Sequence, residues 1–222
     1  MATTEVSGTA RAAVGEGGQR RVTKRRAETR QRLLDAAYEV FTEVGFGRTR
    51  PELVCERAGY TRGAFYSQFG SMDELFLTLW EQWSVRMLDR MREILASREV
   101  AEVEDERELV EHVLRAVPID GKWYRVNAEF TVHALRNPEL RALVAAREQA
   151  NIDAIMPVVE VLLARVARTI TDREALGQAL IAVHDGTMAQ CLIEPDDPRV
   201  LARRVDLFYR VILSFSTRTS PG

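Results

Sequence analysis

The chain has 222 residues, 46% hydrophobic and 29% charged, which suits a globular protein of one or two domains with a sizeable buried core and excludes a low-complexity chain. The formal charge of -2 is unevenly placed: residues 1–32 hold eight basic and three acidic side chains, a net +5, leaving -7 for the remainder, so an anionic partner is expected for one end only. Two cysteines without C-x-x-C or zinc-type spacing, no signal-peptide core and no apolar run of roughly 18 residues argue against a disulfide scaffold, a zinc finger, export and a membrane span; a cytoplasmic protein with two buried thiols, Cys55 and Cys191, is expected.

Residues 1 to about 19 are rich in Gly, Ala, Thr and Ser without apolar periodicity, and read as a disordered arm. The arm passes into the Arg-dense stretch QRRVTKRRAETRQR. Leu33, Leu34, Ala37, Phe41 and Val44 then recur at helical spacing, in a helix that Gly45 can end. Thr49-Arg50-Pro51-Glu52 has the spacing of a capping box, with proline in a first turn, and opens a helix that closes at Ala58-Gly59. Thr61 can cap a third helix, 62–69, and Ser71-Met72-Asp73-Glu74 is a second capping box for a fourth helix reaching about Ala96. Residues 105–117 and 121–136 are helical candidates, and Asn137-Pro138-Glu139, Thr171-Asp172-Arg173-Glu174 and Asp197-Pro198 start three more. No strand-like alternation stands out, so the expected fold class is all-α with about nine helices.

The stretch TRGAFYSQFGSMDELF makes the third helix unusual. A helix, a glycine turn and a second short helix form the helix-turn-helix pattern, whose second helix enters the DNA major groove. Gly63 lets backbone approach DNA, Phe65 and Phe69 anchor the helix, and Arg62, Tyr66 and Gln68 do not suit a core. Arg favours guanine and Gln favours adenine through paired hydrogen bonds, so Arg62 and Gln68 are the candidate base readers, each with a phosphate contact or a solvated surface role as alternative. Arg20, Arg21, Lys24, Arg25 and Arg26 could lie in the adjacent minor groove or form a basic extension of the first helix.

Residues 29–79 resemble the DNA-binding domain of the tetracycline-repressor (TetR) family of transcriptional regulators. The resemblance is carried by Gly45-Phe46, Thr49, Val54, Ala58-Gly59, Thr61, Gly63, Phe65-Tyr66, Phe69, Ser71 and Glu74-Leu75. It implies a phosphate contact for Tyr66, and the full set of DNA-binding candidates is Thr49, Arg50, Thr61, Arg62, Gly63, Tyr66 and Gln68, with Arg20, Arg21, Arg25 and Arg26 from the arm. Three positions depart from the pattern: Arg50 stands where Ser or Thr is usual, Gln68 where His or Tyr is frequent, and Met72 where a phosphate-gripping Lys is usual. The expected organisation is a basic arm over 1–22, a three-helix DNA-binding domain over 23–70, an effector-binding and dimerisation domain over 71–217 and a tail over 218–222.

The body offers other chemistry. Trp83, Met87, Trp123, Phe130 and Met188, with Asn127 and His184 as polar groups, compose a lining that suits a largely apolar small molecule, although such stripes also make plain core. The resemblance implies that an effector there shifts the fourth helix. It also implies a homodimer through the last two helices, where Val205, Phe208, Tyr209 and Ile212 are the apolar candidates or pack only within the subunit. Glu129 and His133 share a helix face without enough further ligands for a metal, and no nucleophile-base, Walker or dinucleotide motif appears, so neither cofactor nor catalysis is expected. The expected function is a ligand-responsive regulator, a repressor by analogy, that binds an inverted-repeat operator as a homodimer. Two other readings are a helical ligand-binding protein or enzyme with a vestigial helix-turn-helix, and a DNA-coating protein with little sequence preference.

Overall fold

The computed structural model describes residues 10–219, with side chains from Lys24 onward apart from Glu99 and Ala116. Residues 1–9 of the expected arm, and the side chains of Arg20 and Arg21, lie outside the described residues. Among the described residues the nine expected helices all appear, together with two further short turns and a two-stranded sheet. The chain divides into two compact units, residues 1–79 and 80–222. The division lies between residues 79 and 80, inside a helix that carries residues of both units, beyond the expected boundary at residues 70 and 71.

The first unit holds α1 (Ala10–Val44), a 3-10 turn (Phe46–Arg48), α2 (Pro51–Ala58), α3 (Arg62–Tyr66) and the start of α4 (Met72–Ala96). α1 begins at Ala10, well before the apolar periodicity, where an irregular arm was expected. Ala, Arg and Gln favour helix strongly enough to extend it through the intervening glycines. Leu33, Leu34, Ala37 and Phe41 face inward with Val54, Phe65, Phe69, Leu75 and Phe76. Phe41, Phe46 and Phe76 meet with ring centroids 5.4 to 6.0 Å apart, the spacing of favourable tilted and edge-on pairs. Gly45 and Gly59 take φ of 87° and 72°, and this freedom lets the chain reverse twice around so short an α2.

The second unit holds the rest of α4, the turn α5 (Arg98–Ala101), α6 (Glu106–Ala116), α7 (Gly121–Ala134), α8 (Pro138–Arg165), β1 (Arg168–Ile170), α9 (Arg173–Ile193), α10 (Pro198–Ser214) and β2 (Ser216–Arg218). Asp105, Asp120, Asn137, Asp172 and Asp197 cap the five long helices from α6 onward by accepting first-turn N–H groups, and proline opens α8 and α10. The core has two clusters. One joins Leu88, Met91, Val113, Val158 and Leu162; the other joins Val110, Ile152, Met156, Leu176, Val205 and Phe208.

The antiparallel pair β1–β2, with Arg168 opposite Arg218 and Ile170 opposite Ser216, was not expected. Strands of three residues carry too little alternation to register as strands. Their fastening is ionic. The Arg168 guanidinium donates to Ser216 O and Oγ, both at 2.9 Å, and pairs with Glu106 at 3.3 Å.

Candidate functional site

Two sites emerge, one in each unit. The first is the exposed end of α2–α3. Thr61 caps α3 by accepting from Ala64 N at 3.2 Å, and Phe65 is fully buried beneath it. Ser71 caps α4 by accepting from Glu74 N at 3.0 Å, and the Glu74 carboxylate accepts from Gly70 N at 2.8 Å. α3 is therefore fixed at both ends, and its outer face is free to meet a partner. Arg62, Gly63, Tyr66 and Arg50 are exposed, as are Arg25 and Arg26 on α1; Gln68 is half-buried. A Cβ added at Gly63 would meet nothing nearer than Thr61 Oγ1 at 3.8 Å, so packing within the unit does not require glycine there. What the missing side chain provides is bare backbone on the outer face.

Arg62 is already oriented. Its guanidinium pairs with Glu52 at 3.0 Å, and the Tyr66 hydroxyl and the Glu52 charge hold it firmly protonated. Thr49 behaves differently from expectation. It is buried, and its hydroxyl donates to Gly45 O at 2.7 Å instead of closing a capping box. Arg50 is the N-cap residue of α2, with extended backbone and no side-chain cap bond, so Thr49 stands one residue too early to cap and its hydroxyl hydrogen is committed inside the unit.

Sequence reasoning missed Arg30. Its guanidinium lies 4.3 Å from the Phe69 ring centroid and donates to Gln68 O at 2.7 Å and Thr78 Oγ1 at 3.2 Å, tying the end of α3 to α1 and α4. The one signal for it was an arginine at helical spacing from Leu33, Ala37 and Phe41, on a face that should be apolar.

The second site is a cavity of about 500 Å³ in the second unit, within the size range of small-molecule sites. Trp83, Met87, Trp123, Asn127, His184 and Met188 all line it. The indoles of Trp83 and Trp123 stack at 4.9 Å with an interplanar angle of 17°. Phe130 does not line it. Trp123, Asn127 and Thr131 recur every four residues along the α7 wall, whereas Phe130 and Val126 fall on the neighbouring, fully packed face.

The polar groups of the cavity are distinctive. Asn127 Oδ1 is buried without a hydrogen-bond partner. His184 Nδ1 faces an Arg204 N–H at 3.2 Å, which makes it an acceptor and puts the ring proton on Nε2. Burial and the Arg204 charge lower the His184 pKa to about 4, so the ring is neutral at physiological pH. Arg204, which sequence reasoning also missed, is itself buried and bonds to Thr187 Oγ1 and His184 O.

This imidazole carries a pH prediction. The unfolded chain takes up a proton near pH 6.5 and the folded chain only near 4, so stability present above that window should fall as pH drops through it, by on the order of 3 kcal/mol. The Glu148 and Asp185 carboxyls are raised by burial and act in the opposite sense just above their ordinary values, so the measurement is comparative. Urea unfolding of wild type and His184→Asn between pH 7.5 and 4 should show the steeper loss in wild type; parallel curves would contradict it.

Within the subunit, the residues expected at a dimer interface join the second core cluster or pack against it, with Tyr209 and Ile212 half-buried. Val205 and Phe208 are buried in the second core cluster, Tyr209 and Ile212 pack against it, and Phe208, Tyr209 and Ile212 also line the cavity. The apolar side chains that α9 and α10 turn to solvent are Ile193, 77% exposed, Leu201, 47%, and Leu207, 36%. Periodicity gave one apolar face of α10, and that face went to the core. Among the described residues, no group of three or more His, Cys, Asp or Glu is placed to hold a metal ion, and no helix is long and apolar enough to cross a membrane.

Comparison with known proteins follows the same division. A family model described as bacterial regulatory proteins, tetR family, matches residues 33–79, and one described as BetI-type transcriptional repressor, C-terminal, matches residues 102–206. The HTH-type transcriptional regulator AcrR of Shigella flexneri is 42% identical over 62 residues, which is 28% of this chain and 29% of that protein. TtgR of Pseudomonas putida, also an HTH-type transcriptional regulator, is 27% identical over 193 residues, covering 82% of this chain and 89% of that protein. The solved structure of Salmonella enterica GusR superposes with a TM-score of 0.65 at 20% identity, over 84% of this chain and 96% of that one.

Proposed function

We infer that this chain, which belongs to the TetR family of bacterial regulatory proteins and is a DNA-binding transcriptional regulator, acts in the cytoplasm as a repressor that an effector releases from its operator. The observation that carries the reading is the placement of Arg62, Gly63 and Tyr66 on the exposed face of a short helix fixed at both ends. Arg62 would read a base, Tyr66 would hold a phosphate, and Arg25, Arg26 and Arg50 would add backbone contacts. Two copies joined through the outer faces of α9 and α10, where Ile193, Leu201 and Leu207 are exposed, would present two such helices to half-sites about one turn apart.

α4 carries residues of both units, with its Trp83 and Met87 on the cavity wall. A ligand that packs better against one setting of α4 than another would shift the protein between operator-binding and free forms. Each tenfold loss of operator affinity needs about 1.4 kcal/mol of such preference. Repeated selection of bound duplexes from a random pool tests the reading. It should return an inverted repeat; enrichment of unrelated asymmetric sequences, or none, would overturn it.

A further inference from the structure

The charge around the cavity identifies the class of molecule that it takes. Among the described residues, four carboxylates line it, those of Glu106, Asp120, Glu148 and Asp185, against the single guanidinium of Arg168. Arg168 is committed to Glu106, which also receives Arg218 at 3.1 Å, so this end is balanced internally. Asp120 is spent on capping α7, accepting from Lys122 N and Trp123 N. The remaining two have no such balance. Asp185 is close enough for its charge to act on Glu148, whose neighbour Arg147 turns away to pair with Glu81 at 2.9 Å. Arg204 lies near Asp185 and offsets part of its charge, but its own N–H groups are used on Thr187 and His184.

Three further facts narrow the choice. Burial and the Asp185 charge push the Glu148 carboxyl up, and burial pushes Asp185 up, so a positive charge near them would be favoured. Asn127 Oδ1 is a buried acceptor that still lacks a donor. The stacked indoles of Trp83 and Trp123 offer an apolar and aromatic wall suited to a flat hydrocarbon body and to a cation beside it. The His184 ring is neutral and does not oppose a positive ligand.

We propose that the cavity binds a protonated amine on an aromatic or aliphatic body, with Glu148 and Asp185 as its counter-charges and Asn127 Oδ1 as acceptor for one of its N–H groups. This rests on the reading of the cavity as the effector site and adds the charge and donor character of the effector. An N–H-bearing ammonium supplies both charge and donors; a quaternary ammonium supplies only the charge, and an alcohol only one donor.

The test uses four matched probes on the full-length chain, by titration calorimetry at pH 7.5: 2-(2-naphthyl)ethylamine, its N,N,N-trimethylammonium analogue, 2-(2-naphthyl)ethanol and 2-naphthylacetate. The amine should bind at least tenfold more tightly than the alcohol, the quaternary ion should fall between them, and the carboxylate should bind most weakly. Glu148→Gln and Asp185→Asn should each reduce the preference for amine over alcohol severalfold, and the double variant should abolish it. Thermal melts serve as the check on folding, and each variant should still melt in one cooperative transition. An alcohol that binds as well as the amine, a preference that survives in the double variant, or no binding by any probe would overturn the proposal. If the alcohol or the carboxylate binds and also releases operator DNA, the effector site stands while the cation assignment falls.

Discussion

Operator affinity should fall by about 10³–10⁵-fold between roughly 50 and 200 mM salt, the loss that follows when about six to ten phosphates are neutralised by Lys and Arg. The first unit exposes Lys24, Arg25, Arg26, Arg48, Arg50 and Arg62, and a dimer doubles that set. Not every basic side chain counts. Arg57 is spent on Glu39 at 2.9 Å and Glu43 at 2.6 Å, and Arg30 is folded over Phe69. Arg62 lies between these cases, since both it and its partner Glu52 are exposed and solvent screens the pair, so the guanidinium is readily released to DNA. Glu52→Gln should therefore raise operator affinity a few-fold by removing a charge that DNA also repels. Arg62→Ala should cost about 1–3 kcal/mol and relax preference at one base position. A uniform loss over all sequences would make Arg62 a phosphate contact, and affinity insensitive to salt would remove DNA from the account of this face.

The helix starts were legible because each depends on one or two side chains whose chemistry is local. Ser71 caps α4 as its capping box predicts, and the starts expected at Asn137-Pro138, Thr171-Asp172-Arg173-Glu174 and Asp197-Pro198 are capped by Asn137, Asp172 and Asp197. The exception, Thr49, shows the limit. The pattern Thr-x-x-Glu was present, but the 3-10 turn before it bent the hydroxyl back to Gly45 O, and no residue spacing encodes that turn. The cavity was legible as a set of aromatic and sulfur side chains at helical spacing, though not to one-residue accuracy, because Phe130 lies only one helical position away from the wall. Faces of α10 were not separable, since Val205, Phe208, Tyr209 and Ile212 form an apolar stripe whether it faces a partner or the core. Arg30 and Arg204 were missed for a shared reason. A partly or fully buried arginine is found only by knowing which carbonyls accept from it, and those of Gln68 and His184 come from other helices or turns.

Glu106→Gln should lower folding stability by about 3–5 kcal/mol, the cost of leaving a buried charge without its partner. The side chains of Glu106 and Arg168 are only 12% and 9% exposed, so water replaces little of what the carboxylate supplies. Glu106 also accepts from the Tyr209 hydroxyl at 3.4 Å and from Arg218 at 3.1 Å. One carboxylate thus joins α6, α10 and both strands, and Arg168 carries the link onward to Ser216 O and Oγ. A glutamine keeps the shape and one acceptor but none of the charge. Arg168→Met/Glu106→Leu should recover most of the loss, because no charge is then left buried and the exposed Arg218 can turn to solvent. The measurement is urea unfolding at one fixed protein concentration, since association would otherwise contribute to the apparent stability. A loss below about 1 kcal/mol in Glu106→Gln would show that solvent reaches the pair freely. Both residues also line the cavity, so the single variant should weaken ligand binding along with stability, and the double variant should restore stability without restoring the original polarity of that wall.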